Sequence, residues 1–122
     1  MPSASGLKKV GYFDCAGGGQ VVVEGGIAYI GHMKAPHGTS VVDVRDPKNP
    51  KLLAAFDMQP GTHSHKVRVA NGIMIVNNEL YPRGKTKPDP DFKGGYTVYD
   101  VSNPAKPLRR ATCSTARPTV IR

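Results

Sequence analysis

Residues 38–50, "GTSVVDVRDPKNP", return as residues 95–107, "GYTVYDVSNPAKP", 57 positions later. Gly38/Gly95, Val41/Val98, Asp43/Asp100, Val44/Val101, Pro47/Pro104 and Pro50/Pro107 are identical, and Asp46 is answered by Asn103. A second pair precedes them: "VVVEGGIAYIG" at 21–31 and "VRVANGIMIVN" at 67–77, 46 positions apart. "LKKVGYFD" at 7–14 and "KLLAAFD" at 51–57 share a Phe-Asp ending, and "PLRRATC" at 107–113 starts a third copy of that element. A self-similar chain is built from one repeated unit, so the fold follows from what that unit can form. The two offsets differ by 11 residues, which fall in an insertion loop within 78–94, where "ELYPRGKTKPDPDFK" mixes three prolines with charges.

Each unit reads as strands. "KVRVANGIMIV" is two alternating runs about Asn71-Gly72, the dipeptide that a tight hairpin with two positive φ angles prefers. Gly25-Gly26 stands at the same place in "VVVEGGIAYI". "TSVVDV" and "YTVYDV" supply third strands. The "DPKNP" and "NPAKP" segments then turn, with Pro47 or Pro104 fixing φ and Asp46 or Asn103 capping with its own side chain. "LLAAF" is the fourth strand. Four antiparallel strands every 46 residues is the repeat of a β-propeller blade. The expected fold is therefore all-β: a partial β-propeller of about two four-stranded antiparallel blades, the blades covering 7–113. Residues 7–14 read as the fourth strand of a preceding blade, 21–57 as the first blade and 67–113 as the second, with irregular tails at 1–6 and 114–122.

Composition narrows the classes. A chain of 122 residues with 14 glycines and 11 prolines is turn-rich, and no apolar run approaches a membrane span. The net charge of +8 comes from scattered lysines and an arginine-bearing C-terminal stretch. No dense basic run or nucleic-acid module accompanies it, so nucleic acid is set aside as a partner. Cys15 and Cys113 are too few for a disulfide framework and read as free thiols. No signal segment is visible at the N-terminus, which makes the cytoplasm the default compartment and export the expectation for a truncated N-terminus.

The phrase shared by "VVDVRDPKNP" and "VYDVSNPAKP" resembles the LVIVD repeat, a bacterial and archaeal β-propeller repeat, over residues 7–113. The resemblance implies blades. It implies no shared catalytic residues, and its members usually carry enough repeats to close a ring. Propellers close with about four to eight blades. Two blades leave edges and a face uncovered, so the expectation is a fragment of a longer propeller whose partners are further blades or other copies of itself.

All four histidines fall on one side of this scheme. With strands labelled A to D outward from the axis, A–B and C–D turns share one face, and B–C and D–A loops share the other. His32 and His37 lie in the first B–C loop, Asn78 and Glu79 at the second, and His63 and His65 in the D–A loop. These six residues are the expected ligand-binding set. His63-x-His65 puts two imidazoles on one side of an extended strand, and imidazoles with a carboxylate suit zinc or copper, so His63, His65, His37 and Glu79 are the expected metal ligands. Loop residues with ordinary hydrogen bonds are the plainer alternative for His32 and His37. "GGGQ" at 17–20 does not precede a helix and lacks the context of a phosphate loop. Ser40 and Ser64 have no base and acid assigned by sequence, which leaves a hydrolase triad unsupported. The repetition of Asp43 as Asp100 points to a turn rather than to a catalytic acid.

Three functional readings follow. The first is a binding or scaffold propeller module whose ligand face is formed by the B–C and D–A loops. The second is a metal-dependent propeller enzyme with a His-rich site. The third is a non-functional fragment of a longer propeller.

Overall fold

The computed structural model describes residues 5–58, 61–80 and 94–114. It is all-β, with no helix among the described residues, so none there is long and apolar enough to cross a membrane. Blade 1 is an antiparallel sheet of β1 (Gly18–Glu24), β2 (Ile27–His32), β3 (His37–Asp43) and β4 (Lys51–Asp57), in that order. Blade 2 repeats it with β6 (Val67–Ala70), β7 (Ile73–Leu80), β8 (Gly95–Asp100) and β9 (Leu108–Ser114). The short β5 (Thr62–His63) pairs with the far end of β7, on the edge that β6 also uses.

The turns follow their residues. Gly25 and Gly26 take φ of 61° and 76°, and Asn71 and Gly72 take 52° and 77°, as a two-residue hairpin between right-twisted strands requires. In the C–D turns the Oδ1 of Asp46 accepts from the Lys48 amide at 3.1 Å, and Oδ1 of Asn103 accepts from the Ala105 amide at 3.1 Å. Asp43 and Asp100 also serve these turns. The first accepts from the Arg45 amide at 2.9 Å and the second from the Ser102 amide at 2.8 Å.

Strand alternation gives each blade two apolar faces. In blade 1 the front carries Ile27, Tyr29 and Val41. These pack against Val67, Met74, Val76 and Val101 of blade 2 in a single core. The Phe56 ring lies 5.0 Å from the Tyr99 ring across the same joint. Burying a side chain such as Met74 stabilises the pair by about 1.5–3 kcal/mol relative to exposure.

The back of blade 1 carries Val21, Val23, Ala28, Ile30, Val42 and Leu52, which are cross-strand partners of one another. Residues 9–13 run over its middle, against Ala28, Ile30, Val42 and Val44. Residues 7–14, expected as the fourth strand of a preceding blade, join no ladder among the described residues. Gly11 instead abuts the Pro47 carbonyl so closely that a Cβ would collide with it. Several boundaries also move. Gly18–Gln20 belong to β1 rather than to the loop before it, His32 ends β2 and His37 begins β3 rather than lying in the loop between them, His63 lies on β5, Asn78 and Glu79 lie on β7 rather than in the insertion, and Ser114 ends β9. The expected insertion beyond Leu80 and the tail beyond Ser114 lie outside the described residues, as do residues 1–4 of the N-terminal tail.

Candidate functional site

The site grows from a bulge that both blades carry. In blade 1, Gly18 is opposite His32 and Val21 opposite Ile30, so β1 holds one residue more than β2. In blade 2, His63 is opposite Glu79 and Val67 opposite Val76, so three residues face two. A bulge leaves backbone groups outside its own ladder. Here they bond across the blades: the Gln20 amide donates to the His65 carbonyl at 3.1 Å and the His32 amide to the Ser64 carbonyl at 2.8 Å. The Gln20 side chain accepts from the Val67 amide at 3.0 Å. Gly31 allows the approach, since a Cβ there would lie 2.6 Å from the carbonyl carbon of His65.

The four histidines are used differently. His32 is 2% exposed. Its Nδ1 donates to the Gly17 carbonyl at 3.0 Å, and its Nε2 accepts from the Ser40 hydroxyl at 2.8 Å. Ser40 therefore does meet a base, but both groups are buried and the far ring nitrogen faces a backbone carbonyl instead of an acid. The pair is a structural tie. His37 lies near the surface, with Nδ1 3.4 Å from Oδ1 of Asp57 and its ring edge-on to His32 at 6.1 Å.

His63 and His65 stand together, their rings stacked at 4.8 Å with 21° between the planes. Nδ1 of His63 donates to the His32 carbonyl at 3.2 Å, which puts the ring's lone pair on Nε2. Nδ1 of His65 is buried, makes no hydrogen bond and lies 3.5 Å from Oε2 of Glu79. Burial lowers the His65 pKa below its ordinary 6.5; Glu79 opposes the shift, and His63 and Lys66 add to it. The shift favours the neutral imidazole, the form that binds a metal ion. Donor atoms of His63, His65 and Glu79 all lie within 4.8 Å of one another. Of the expected metal ligands, His37 stays outside this group. Asn78 pairs with Gly95 and, by strand alternation, points away from Glu79.

Asn77, absent from the expected set, organises the cluster. Its Nδ2 donates to Oε2 of Glu79 at 3.1 Å. Its Oδ1 accepts from the Lys66 amide at 3.0 Å and from the Ser64 hydroxyl at 3.3 Å. The i, i+2 spacing of Asn77 and Glu79 on an alternating strand is the signal that would have found it.

The LVIVD-repeat family model matches residues 18–58 and 90–115. The chain belongs to the LVIVD-repeat family. No curated protein and no solved structure matches it. In this LVIVD-repeat chain the phrase that carries the match supplies β3, β8 and their turns, while the histidine cluster lies on the β5–β7 edge between the two matched segments. The match covers blade 1 and the β8–β9 half of blade 2, and the cluster lies outside it.

Proposed function

We propose that this chain is a propeller-like binding module that holds a divalent transition metal ion at the B–C and D–A loop end of its blades, with His63, His65 and Glu79 as ligands. What carries the reading is one observation: two stacked imidazoles and a carboxylate within 4.8 Å of one another on the paired edge of a sheet. Ligands around tetrahedral zinc stand about 3.3 Å apart, given bond lengths of about 2.0–2.1 Å. Two histidines and a carboxylate favour zinc or copper over the hard cations magnesium and calcium. Three protein donors leave a fourth position open, where a water or a small anion binds.

The test is calorimetric titration of the metal-free chain with zinc, repeated with the His63→Ala/His65→Ala double variant and with His37→Ala. One equivalent taken up by the parent and by His37→Ala, with none by the double variant, is the expected result. Equal uptake by parent and double variant refutes the site.

A further inference from the structure

The joint between the two blades is a template for another. At that joint the front of blade 1 (Ile27, Tyr29, Val41) meets the back of blade 2, where Met74, Val76 and Tyr99 contribute. The sequence repeat maps the front of blade 1 onto Ile73, Ile75 and Val98 in blade 2. The pairing agrees, because Ile75 lies opposite Val98 as Tyr29 lies opposite Val41. Nothing among the described residues covers this second front, and Ile73 and Ile75 are 42% and 43% exposed. The repeat likewise maps the back of blade 2 onto Ala28, Ile30 and Val42 of blade 1.

Among the described residues that second back is covered only by residues 9–13, which make no ladder bonds and leave a cavity of about 350 Å³ against the sheet. Val21, Val23 and Leu52 remain more than half exposed around them, at 58%, 61% and 53%. Among the described residues the chain therefore presents an uncovered front and a thinly covered back, two halves of a joint it already makes once internally. We infer that the front of blade 2 docks on the back of blade 1 of a second copy, displacing residues 9–13, so that the blade stack continues from one chain into the next.

Such a contact is heterologous, using different patches on the two partners, and it propagates until a ring closes. With two blades per copy, the usual four to eight blades correspond to about two to four copies. One corner of the joint differs from the template. Asn77 stands where blade 1 has Gly31, and that glycine is what lets His65 approach. The second copy therefore seats on Ile73, Ile75 and Val98 and leaves the corner at His63, His65 and Glu79 open. The inference does not depend on a metal.

The experiment is light scattering coupled to size exclusion over a wide range of concentration, on the parent, Ile75→Asp and Val23→Asp. Ile75→Asp spoils only the front and Val23→Asp only the back. The parent is expected to shift from monomer to a discrete assembly of about two to four copies. Each variant alone stays monomeric, while an equimolar mixture of the two forms a heterodimer through the one intact front and the one intact back. Gly11→Val, whose side chain drives the 9–13 segment off Pro47, should move association to lower concentration. A parent that stays monomeric, a folded variant that associates like the parent, or a mixture that stays monomeric overturns the inference. Circular dichroism establishes folding, and if either aspartate variant fails to fold, alanine at the same position takes its place. An unchanged onset for Gly11→Val overturns the displacement of residues 9–13.

Discussion

The backbone carbonyl of His32 accepts the Nδ1 proton of His63 at 3.2 Å. One histidine, at the end of a strand in blade 1, thereby fixes the tautomer of another in blade 2. The ring of His32 is fully engaged by Gly17 and Ser40, so its contribution to the cluster runs through its main chain.

Replacing His32 with alanine empties a buried site and leaves the Ser40 hydroxyl without its partner. The expected loss is about 2–4 kcal/mol of unfolding free energy. His37→Ala, at the surface, should change stability by less than about 0.5 kcal/mol. Urea titration of the two variants separates a structural histidine from an incidental one.

Two glycines should respond in opposite measure. Gly31→Ala sets a methyl group 2.6 Å from the carbonyl carbon and oxygen of His65, and backbone cannot rotate aside. It should cost about 2–3 kcal/mol and loosen the cross-blade bond between His32 and Ser64. Gly25→Ala meets no atom within 4 Å and suffers only its φ of +61°, for about 1 kcal/mol. Amide exchange at His32, faster in the first variant and unchanged in the second, is the check.

Asn77→Ala removes the amide that holds Glu79 and the acceptor that serves Lys66 and Ser64. Stability should fall by about 1–3 kcal/mol. Zinc affinity should fall roughly 10- to 100-fold, the usual effect of losing a group that orients a ligand. A calorimetric titration in which Asn77→Ala binds zinc as tightly as the parent would show that Glu79 needs no support.

Acid should weaken the two C–D turns together. Hydrogen bonds from the Arg45 side chain and amide lower the Asp43 pKa from 3.8 to about 2. Hydrogen bonds from the Ser102 hydroxyl and amide, then from Arg110, lower that of Asp100 from 3.8 to about 2. The unfolded chain takes up these protons first as the pH falls, so both contributions are complete above pH 3.8 and disappear as the pH drops toward about 2. The double variant Asp43→Asn/Asp100→Asn should lose this slope in denaturation curves recorded across that window.

The blades were legible because their signals are local. The dipeptides Asn71-Gly72 and Gly25-Gly26 announce hairpins, and the paired prolines announce the outer turns. His63 and His65 stand together as their spacing suggested, but only His63 lies on a strand, so strand alternation is not what stacks their rings. Less visible was the division of labour among the histidines. His32 shares the strand face of Ile30, whose partner is Ser40, so its engagement rests on the β2–β3 register, a pairing that no local signal states. The spacing of Asn77 from Glu79 could have marked their shared face, but the bonds to Lys66 and Ser64 depend on the bulge that brings those residues alongside. The stretch 7–14 is the opposite case: its pattern is strand-like, but a strand is a relation between neighbours, and among the described residues none pairs with it.

The joint through Gly31 also has a direction. A blade with glycine as the penultimate residue of its second strand can be followed by one that is bulged at histidine before its opening strand. A duplicated blade 2 placed after itself would bring Asn77 to the spot where only hydrogen fits. The repeats therefore obey a word order. Shuffling or multiplying them at the level of the gene would preserve every blade and still spell an array that does not assemble, unless the small residue moved with its neighbour.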